Sequence, residues 1–263
     1  MPRRANFPDE EKNVKSVEKA LNVFLLFTQE TPELSHTEIA KAMGWGTATT
    51  ARLLNTLQNR GFLIRNEASG KYMLGNIFYY LGQVAKQSSN LEEISIPVLE
   101  RIRDETLETV QIFVRDGCQR VCFAQAEGLQ DMRQSTRIGT YEPLCYGSTG
   151  VILLAFQKPE ELGKLLGELK QACQHVNLEK LLMKVAVAKD QGYFLKKGDD
   201  DDTHVGCIAA PIYNPDGSVN ACIAISTPEF RFPDDPSKFI ALITQGAGEI
   251  SQKLGYHGSG TGA

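Results

Sequence analysis

Nowhere in the 263 residues is there an unbroken apolar stretch of the roughly 18 to 20 residues that a membrane span needs. Met1-Pro2-Arg3-Arg4 has no apolar run behind it. Neither a signal peptide nor an anchor is expected, so the chain is read as cytoplasmic, with no membrane partner. The six cysteines Cys118, Cys122, Cys145, Cys173, Cys207 and Cys222 show no CxxC pairing. Reduced core thiols are the default reading. Cys118 and Cys122 flank a predicted turn, yet no second pair or nearby histidine completes a metal set, and no metal or cofactor is expected. The chain also lacks a Gly-x-Ser-x-Gly elbow and a phosphate-binding loop. A strong charge of one sign is missing too. The net −4 hides an asymmetry, with residues 1–90 at net +3 and residues 91–263 at net −7. So small a basic excess binds DNA weakly alone, which predicts two heads acting on one site.

What is present begins at Leu34-Ser35-His36-Thr37-Glu38, where a serine three residues ahead of a glutamate is a capping box that starts a helix. Ile39, Ala42 and Met43 give that helix one apolar stripe, and Gly44-Trp45-Gly46 breaks it with two glycines that tolerate positive φ. The next helix, residues 47–60, carries Thr50, Leu53, Leu54 and Leu57 on one face. Thr47, Ala48, Ala51, Arg52 and Asn55 are left on the other. Short side chains there allow close approach to a major groove, where Asn pairs with adenine and Arg with guanine or phosphate. Thr47 and Thr49, at the helix start, suit phosphate oxygens. Phe62-Leu63-Ile64-Arg65 and Lys71-Tyr72-Met73-Leu74 then read as a hairpin around Asn66-Glu67-Ala68-Ser69-Gly70, with Arg65 and Lys71 at the wing tip. This is the order of a winged helix-turn-helix for double-stranded DNA. Similar modules also bind proteins, so a sensor with a protein-binding head stays open as an alternative.

A helix over residues 14–29, with Val17, Ala20, Leu21, Phe24 and Phe27 as its stripe, supplies the third helix of the head. Residues 14–75 form the DNA-binding domain and 76–90 a linker helix whose Ile77, Tyr80, Leu81 and Val84 need a partner, either the head itself or the same helix of a second copy. From residue 91 the pattern becomes α/β. A helix is predicted at 97–106, with strands at 110–114, 121–124, 207–213 and 219–227 and turns at Asp116-Gly117 and Asn214-Pro215-Asp216-Gly217. Further helices fall at 148–156, 160–169, 178–191 and 236–254. The fold class is α+β, with a mostly antiparallel curved sheet covered by helices in residues 91–255 and a flexible tail at 256–263.

In order and spacing, several segments resemble the IclR family of bacterial transcriptional regulators over residues 14–255. They are Ser16-Val17-Glu18-Lys19-Ala20-Leu21, Glu38-Ile39-Ala40, Arg52-Leu53-Leu54 with Leu57, Gly70-Lys71-Tyr72-Met73-Leu74-Gly75, Pro97-Val98-Leu99, residues 150–155, Gly192-Tyr193, Cys207-Ile208-Ala209-Ala210-Pro211-Ile212 and Ile225-Ser226. The resemblance implies a winged head, a dimerising linker helix and a GAF-like domain that binds a small effector. It implies a homodimer or tetramer, with repression the commoner mode and activation known among relatives. By position, the family pocket carries over to Asp131, Gln134, Ser148, Thr149, Val205, Cys207, Ala224 and Ser226.

The chain departs from the family pattern at several of these positions. Cys145-Tyr146-Gly147-Ser148 stands where relatives often have His-Ala-Ser/Thr-Gly/Ala, and a pair of serines becomes Ala224 and Ser226. Lys196-Lys197 opens a stretch that is acidic in relatives, with one extra residue before Cys207. Amides around Ser148 and Thr149, the Ser226 hydroxyl and the Lys196 charge would suit an organic or aromatic carboxylate. Equally, Lys196 and Lys197 would pair in solvent with Asp199-Asp200-Asp201-Asp202. An enzyme built on Cys145, Cys207, Ser148 and Asp131 is the weakest alternative, because His175 and His204 lie in predicted surface segments and nothing activates a nucleophile. No catalytic residue is assigned.

Overall fold

The computed structural model describes residues 14–28, 30–87, 90–173, 176–198 and 204–258. His175, the acidic run at 199–202, the boundary pair Ser88 and Ser89, and tail positions 259–263 lie outside the described residues. The chain divides into two compact units, Met1–Ser89 and Asn90–Ala263.

The first unit holds α1 (Lys15–Phe24), α2 (His36–Met43), α3 (Thr47–Asn59), β1 (Leu63–Arg65), β2 (Tyr72–Leu74) and α4 (Ile77–Gln87). The capping box forms. Ser35 Oγ accepts from the Glu38 amide at 3.2 Å, and the Ser35 amide donates to Glu38 Oε2 at 2.7 Å. Those Ser35 bonds hold the Glu38 carboxyl below its ordinary range. Their stabilisation is therefore present at neutral pH and is lost as the pH falls through that lowered value. Gly44, at φ 66°, closes α2 in a left-handed cap. Ser35→Ala should cost about 1 kcal/mol, read as a lower Tm, with Ser35→Asp restoring most of it.

The core of this unit is Val23, Ile39, Leu54, Leu57, Leu63 and Tyr72. The stripe predicted for α1 needs correction. Val17 and Leu21 are exposed, together with Val14 and Leu25, and Val23 is buried instead. Phe24 sets this rotation by stacking on Phe62 and meeting Phe78 of α4 edge-on. The helix also ends at Phe24, short of the predicted residue 29. In α2, Ala40 faces inward and Ala42 outward. In α4, Phe78 packs on its own head while Tyr79, Tyr80, Leu81 and Val84 stay exposed.

The second unit holds α5 (Leu91–Thr106), β3 (Thr109–Asp116), β4 (Gln119–Ala126), β5 (Tyr141–Pro143), α6 (Gly147–Ala155), α7 (Pro159–Ala172), α8 (Leu178–Gln191), β6 (Phe194–Lys196), β7 (Val205–Tyr213), β8 (Val219–Pro228) and α9 (Ser237–Lys253). Six strands form one antiparallel sheet in the order β5-β4-β3-β8-β7-β6. Alternation gives each strand two faces. Val110, Ile112, Ile208, Ile223 and Ile225 pack with Leu99 and Ile102 of α5 and Ile243 and Ile250 of α9. On the opposite face Phe113, Cys207, Ala209, Cys222 and Ala224 pack with Ile152 and Leu153 of α6, Leu169 of α7 and Val185 of α8.

Helix α5 starts six residues before the predicted Pro97, which lies inside it. The acidic first-turn pair Glu92 and Glu93 suits the positive end of the helix dipole at that earlier start. Strands β5 and β6, three residues each, are too short to show alternation in the sequence. Reduced thiols were expected throughout, but Cys145 and Cys173 form a disulfide, with Cα atoms 7.3 Å apart. The reason is tertiary: α7 returns its C-cap, Cys173, to the segment that enters α6.

Candidate nucleic-acid interface and effector site

In the first unit, α3 buries Thr50, Leu54 and Leu57 and turns Thr47, Ala48, Thr49, Arg52 and Asn55 to solvent, with Ala51 half-buried. The turn between α2 and α3 is braced. His36 Nε2 donates to the Thr47 carbonyl at 3.2 Å, and Thr50 Oγ1 donates to the Gly46 carbonyl at 3.1 Å. Gly46 caps α3 without a side-chain hydrogen bond, which leaves the first amides of the helix, in the turn that carries Thr47 and Thr49, without a side-chain cap. At the wing, Asn66 Oδ1 accepts from the Ala68 amide, and Glu33 accepts from Asn66 and Ser69. Arg65 is exposed but folded back, its Nε donating to the Gly70 carbonyl at 3.0 Å and its guanidinium 5.8 Å from the Tyr72 ring. Lys71 is half-buried beside it.

In the second unit, the register brings a separate set of residues onto one sheet face. Cys207 lies opposite Ser226 on one side and Lys196 on the other, and Gln111 lies opposite Ala224. Directly opposed residues share a face, so Lys196 joins Cys207, Ala224 and Ser226 on the α6 side, with Val205 two residues before Cys207 at the strand's start. Lys196 is only 8 % exposed. Above this floor of small residues lies the start of α6. Tyr146 caps it without a side-chain bond, Ser148 and Thr149 are buried, and Ser148 Oγ donates to the Cys207 carbonyl at 2.9 Å. The first turn of α6 therefore lies against the strand pair that carries Cys207 and Ser226.

A polar line continues from there. Ser226 Oγ donates to Gln111 Oε1 at 3.1 Å, Gln111 Nε2 donates to Gln125 Oε1 at 2.7 Å, and the same oxygen accepts from the Thr136 amide at 3.2 Å. It ends on the loop 127–140, which carries Asp131, exposed, and Gln134, half-buried. Neither is brought into the Ser148–Cys207–Ser226 group. The loop is held from a second side, where Arg231 pairs with the buried Glu108 and donates to the Met132 carbonyl at 2.8 Å.

Sequence reasoning missed Gln111, Gln125 and Arg120. A glutamine inside the apolar run Val110-Gln111-Ile112 was the available signal, since a buried amide needs partners. A cleft of about 590 Å³ lies away from this chemistry, between β7 and α9, lined by Tyr213, Thr244, Gln252 and Tyr256 among others.

The thiols are not poised for chemistry. Burial pushes the Cys207 thiol up, although Ser226, Ser148, Arg120 and Lys196 each pull it down. Burial likewise raises Cys222, and raises Cys122 to about 11. A thiol held protonated in this way is a packing group. Among the described residues no cluster of three or more His, Cys, Asp or Glu is placed to hold a metal ion. No described helix is long and apolar enough to cross a membrane.

Comparison with known proteins agrees with both units. Residues 16–67 match the family model described as the IclR helix-turn-helix domain, and residues 83–252 match the bacterial transcriptional regulator IclR C-terminal model. The chain belongs to the IclR family of bacterial transcriptional regulators. The HTH-type transcriptional regulator KipR of Bacillus subtilis is 30% identical over 247 residues, covering 92% of this chain and 98% of KipR. The transcriptional repressor IclR of Escherichia coli is 28% identical over 250 residues, covering 92% and 90%. Among solved structures, an IclR homologue from Microbacterium hydrocarbonoxydans complexed with 4-hydroxybenzoate superposes with a TM-score of 0.78, at 19% identity, covering 91% of this chain and 98% of that one. As an IclR-family member this protein is a DNA-binding regulator with an effector domain, and not an enzyme.

Proposed function

We propose that this IclR-family regulator is a cytoplasmic repressor that leaves or holds its operator in response to a small carboxylate. The DNA face is Thr47, Ala48, Thr49, Ala51, Arg52 and Asn55 of α3, with Arg65 and Lys71 of the wing at the adjacent backbone. The effector lies against Ser148, Thr149, Lys196, Val205, Cys207, Ala224 and Ser226; Asp131 and Gln134, outside that group in the structure, would join it only by a movement of the loop 127–140. The observation that carries this reading is the start of α6, which has no side-chain cap and is tied by Ser148 to the Cys207 carbonyl, on the strand whose partners at that position are Ser226 and the buried Lys196. Amides, a hydroxyl and a cation on one buried face suit a carboxylate better than a neutral ligand. The repressor named among the relatives and the aromatic carboxylate bound by a structural neighbour support the same class.

The operator-binding form is a homodimer or a tetramer. Val14, Val17, Leu21 and Leu25 in and around α1, and Tyr80, Leu81 and Val84 on α4, are apolar and exposed in one unit. A monomer would leave both stripes in water, whereas pairing through them places two recognition helices on one DNA site.

A mobility-shift assay on the DNA upstream of the protein's own gene, with a panel of carboxylates, tests the reading. One compound should release or strengthen a specific shift. Arg52→Ala should weaken the shift by about 1–3 kcal/mol and relax base preference, while Lys71→Ala should weaken all sequences evenly. No shift beyond that of competitor DNA would overturn the reading.

A further inference from the structure

The cleft between β7 and α9 takes no part in the effector reading. It opens because β6 is short. That strand pairs with β7 only from Cys207 to Ala209, so Ala210 to Tyr213 run on past its end. The volume of about 590 Å³ falls within the roughly 300–1,000 Å³ usual for small-molecule sites. Its aromatic end is fixed by one buried residue. Ser251, 1 % exposed, accepts the Tyr213 amide on Oγ at 3.0 Å and the Tyr256 amide on its carbonyl at 2.9 Å. The two rings stack with centroids 4.8 Å apart and planes at 16°, and Phe156 meets Tyr213 edge-on. A ligand would find this wall already ordered, which lowers the entropy cost of binding.

The α9 side is kept open. Gly248 lies inside that helix, where glycine costs about 1 kcal/mol relative to alanine, yet a methyl group on it would meet nothing within 4 Å. Gly246, two residues earlier, is required by packing, since a methyl there would strike Ile102 and Val98. No such contact explains Gly248, and what its missing side chain leaves is open space at the cleft. The chemistry of the lining is uncharged. Among the described residues, no Asp, Glu, Lys or Arg lines the cleft. A charged ligand would lose hydration there without meeting a counter-charge. The hydroxyls of Tyr213, Tyr256 and Thr244 and the amide of Gln252 lie instead beside the apolar Ala210 and Ala247. Thr244 Oγ1 donates to the Ile240 carbonyl at 2.8 Å, so toward a ligand it acts as an acceptor.

We propose that this cleft is a second ligand site, and that it takes an uncharged polyhydroxylated molecule of the size of a mono- or disaccharide. Each sugar hydroxyl both donates and accepts, which matches phenols and an amide, and the C–H face of the ring matches Ala210, Ala247 and the tyrosine rings. The inference does not rest on the carboxylate reading. Ala210 packs on the α9 side of β7, whereas Cys207 and Ala209 pack on the α6 side, so the two ligands would occupy opposite faces of one strand.

The test is calorimetric titration of the full chain with glucose, galactose, xylose, maltose and sucrose, and with gluconate and glucuronate as charged counterparts of glucose. At least one neutral sugar should bind, and the charged counterparts should bind roughly tenfold or more weakly than it does. Gly248→Leu fills the open space from a position where leucine is the better helix former, so it should hold or raise Tm while abolishing sugar binding. Tyr256→Phe keeps the ring and removes one hydroxyl, and should weaken binding roughly two- to tenfold, the worth of one neutral hydrogen bond. Should Gly248→Leu melt early, Tyr256→Phe decides alone. Sugar binding that both variants leave intact places the ligand elsewhere and overturns the assignment, as does the absence of binding by every neutral sugar. Neither result touches the carboxylate reading, which the mobility shift tests separately.

Discussion

Raising the salt from about 50 to 200 mM should lower operator affinity by about three orders of magnitude. The size follows from the head. Arg52, Arg65 and Lys71 give three basic side chains near the expected DNA face, so two heads on one site would neutralise roughly six phosphates. With about 0.9 of a counterion released per phosphate, log K falls with log salt at a slope near −5. Arg52→Ala should reduce the slope by about two, one contact per head, if the guanidinium holds phosphate, and leave it unchanged if the residue only reads a base. The acidic second unit, at net −7 over residues 91–263, adds no attraction of its own. A slope near zero would mean the head docks through apolar contact, and would return it to the class of protein-binding modules. Measuring the midpoint by fluorescence anisotropy at four or five salt concentrations separates the cases.

Local signals were legible in the sequence and tertiary ones were not. Ser35 and Glu38 are three residues apart, so their mutual bonds follow from the chain itself. The α3 face was equally readable, because Thr50, Leu54 and Leu57 repeat at helical spacing and only one face of that helix is apolar. Helix α1 misled for the opposite reason. It carries two apolar stripes, and the choice of Val23 over Val17 and Leu21 was made by the rings of Phe62 and Phe78, 38 and 54 positions beyond Phe24. In the effector unit, Lys196 could not be oriented from sequence because β6 is three residues long; its pairing with Cys207 orients it. Arg120 escaped notice because its partners Glu142, Pro143 and Tyr146 lie on and beyond β5, more than 20 residues away. The disulfide partner of Cys145 depends in the same way on where α7 ends.

Gly150→Ala should destabilise the protein by about 1–3 kcal/mol or more and abolish any effector-dependent change in Tm, while Gly163→Ala should raise stability by about 0.5–1 kcal/mol. Both glycines lie inside helices of the same unit, so propensity alone would favour both changes. Surroundings separate them. A methyl group on Gly163 meets nothing within 4 Å, whereas one on Gly150 would run into the carbonyl of Leu144. That carbonyl has little freedom to retreat. Leu144 is fully buried, its amide donates to the Cys118 carbonyl at 3.0 Å, and Arg120 holds the carbonyls on either side of it, at Pro143 and Tyr146. The strain would fall on α6, whose first turn sits over Cys207 and Ser226, so ligand response should fail before the fold does. The head has its own core, and Gly150→Ala should still shift operator DNA, now without regard to carboxylate. A Gly150→Ala protein that melts like wild type and still responds to carboxylate would show that α6 can slide on the sheet, and the effector would then have to be read somewhere other than the start of that helix.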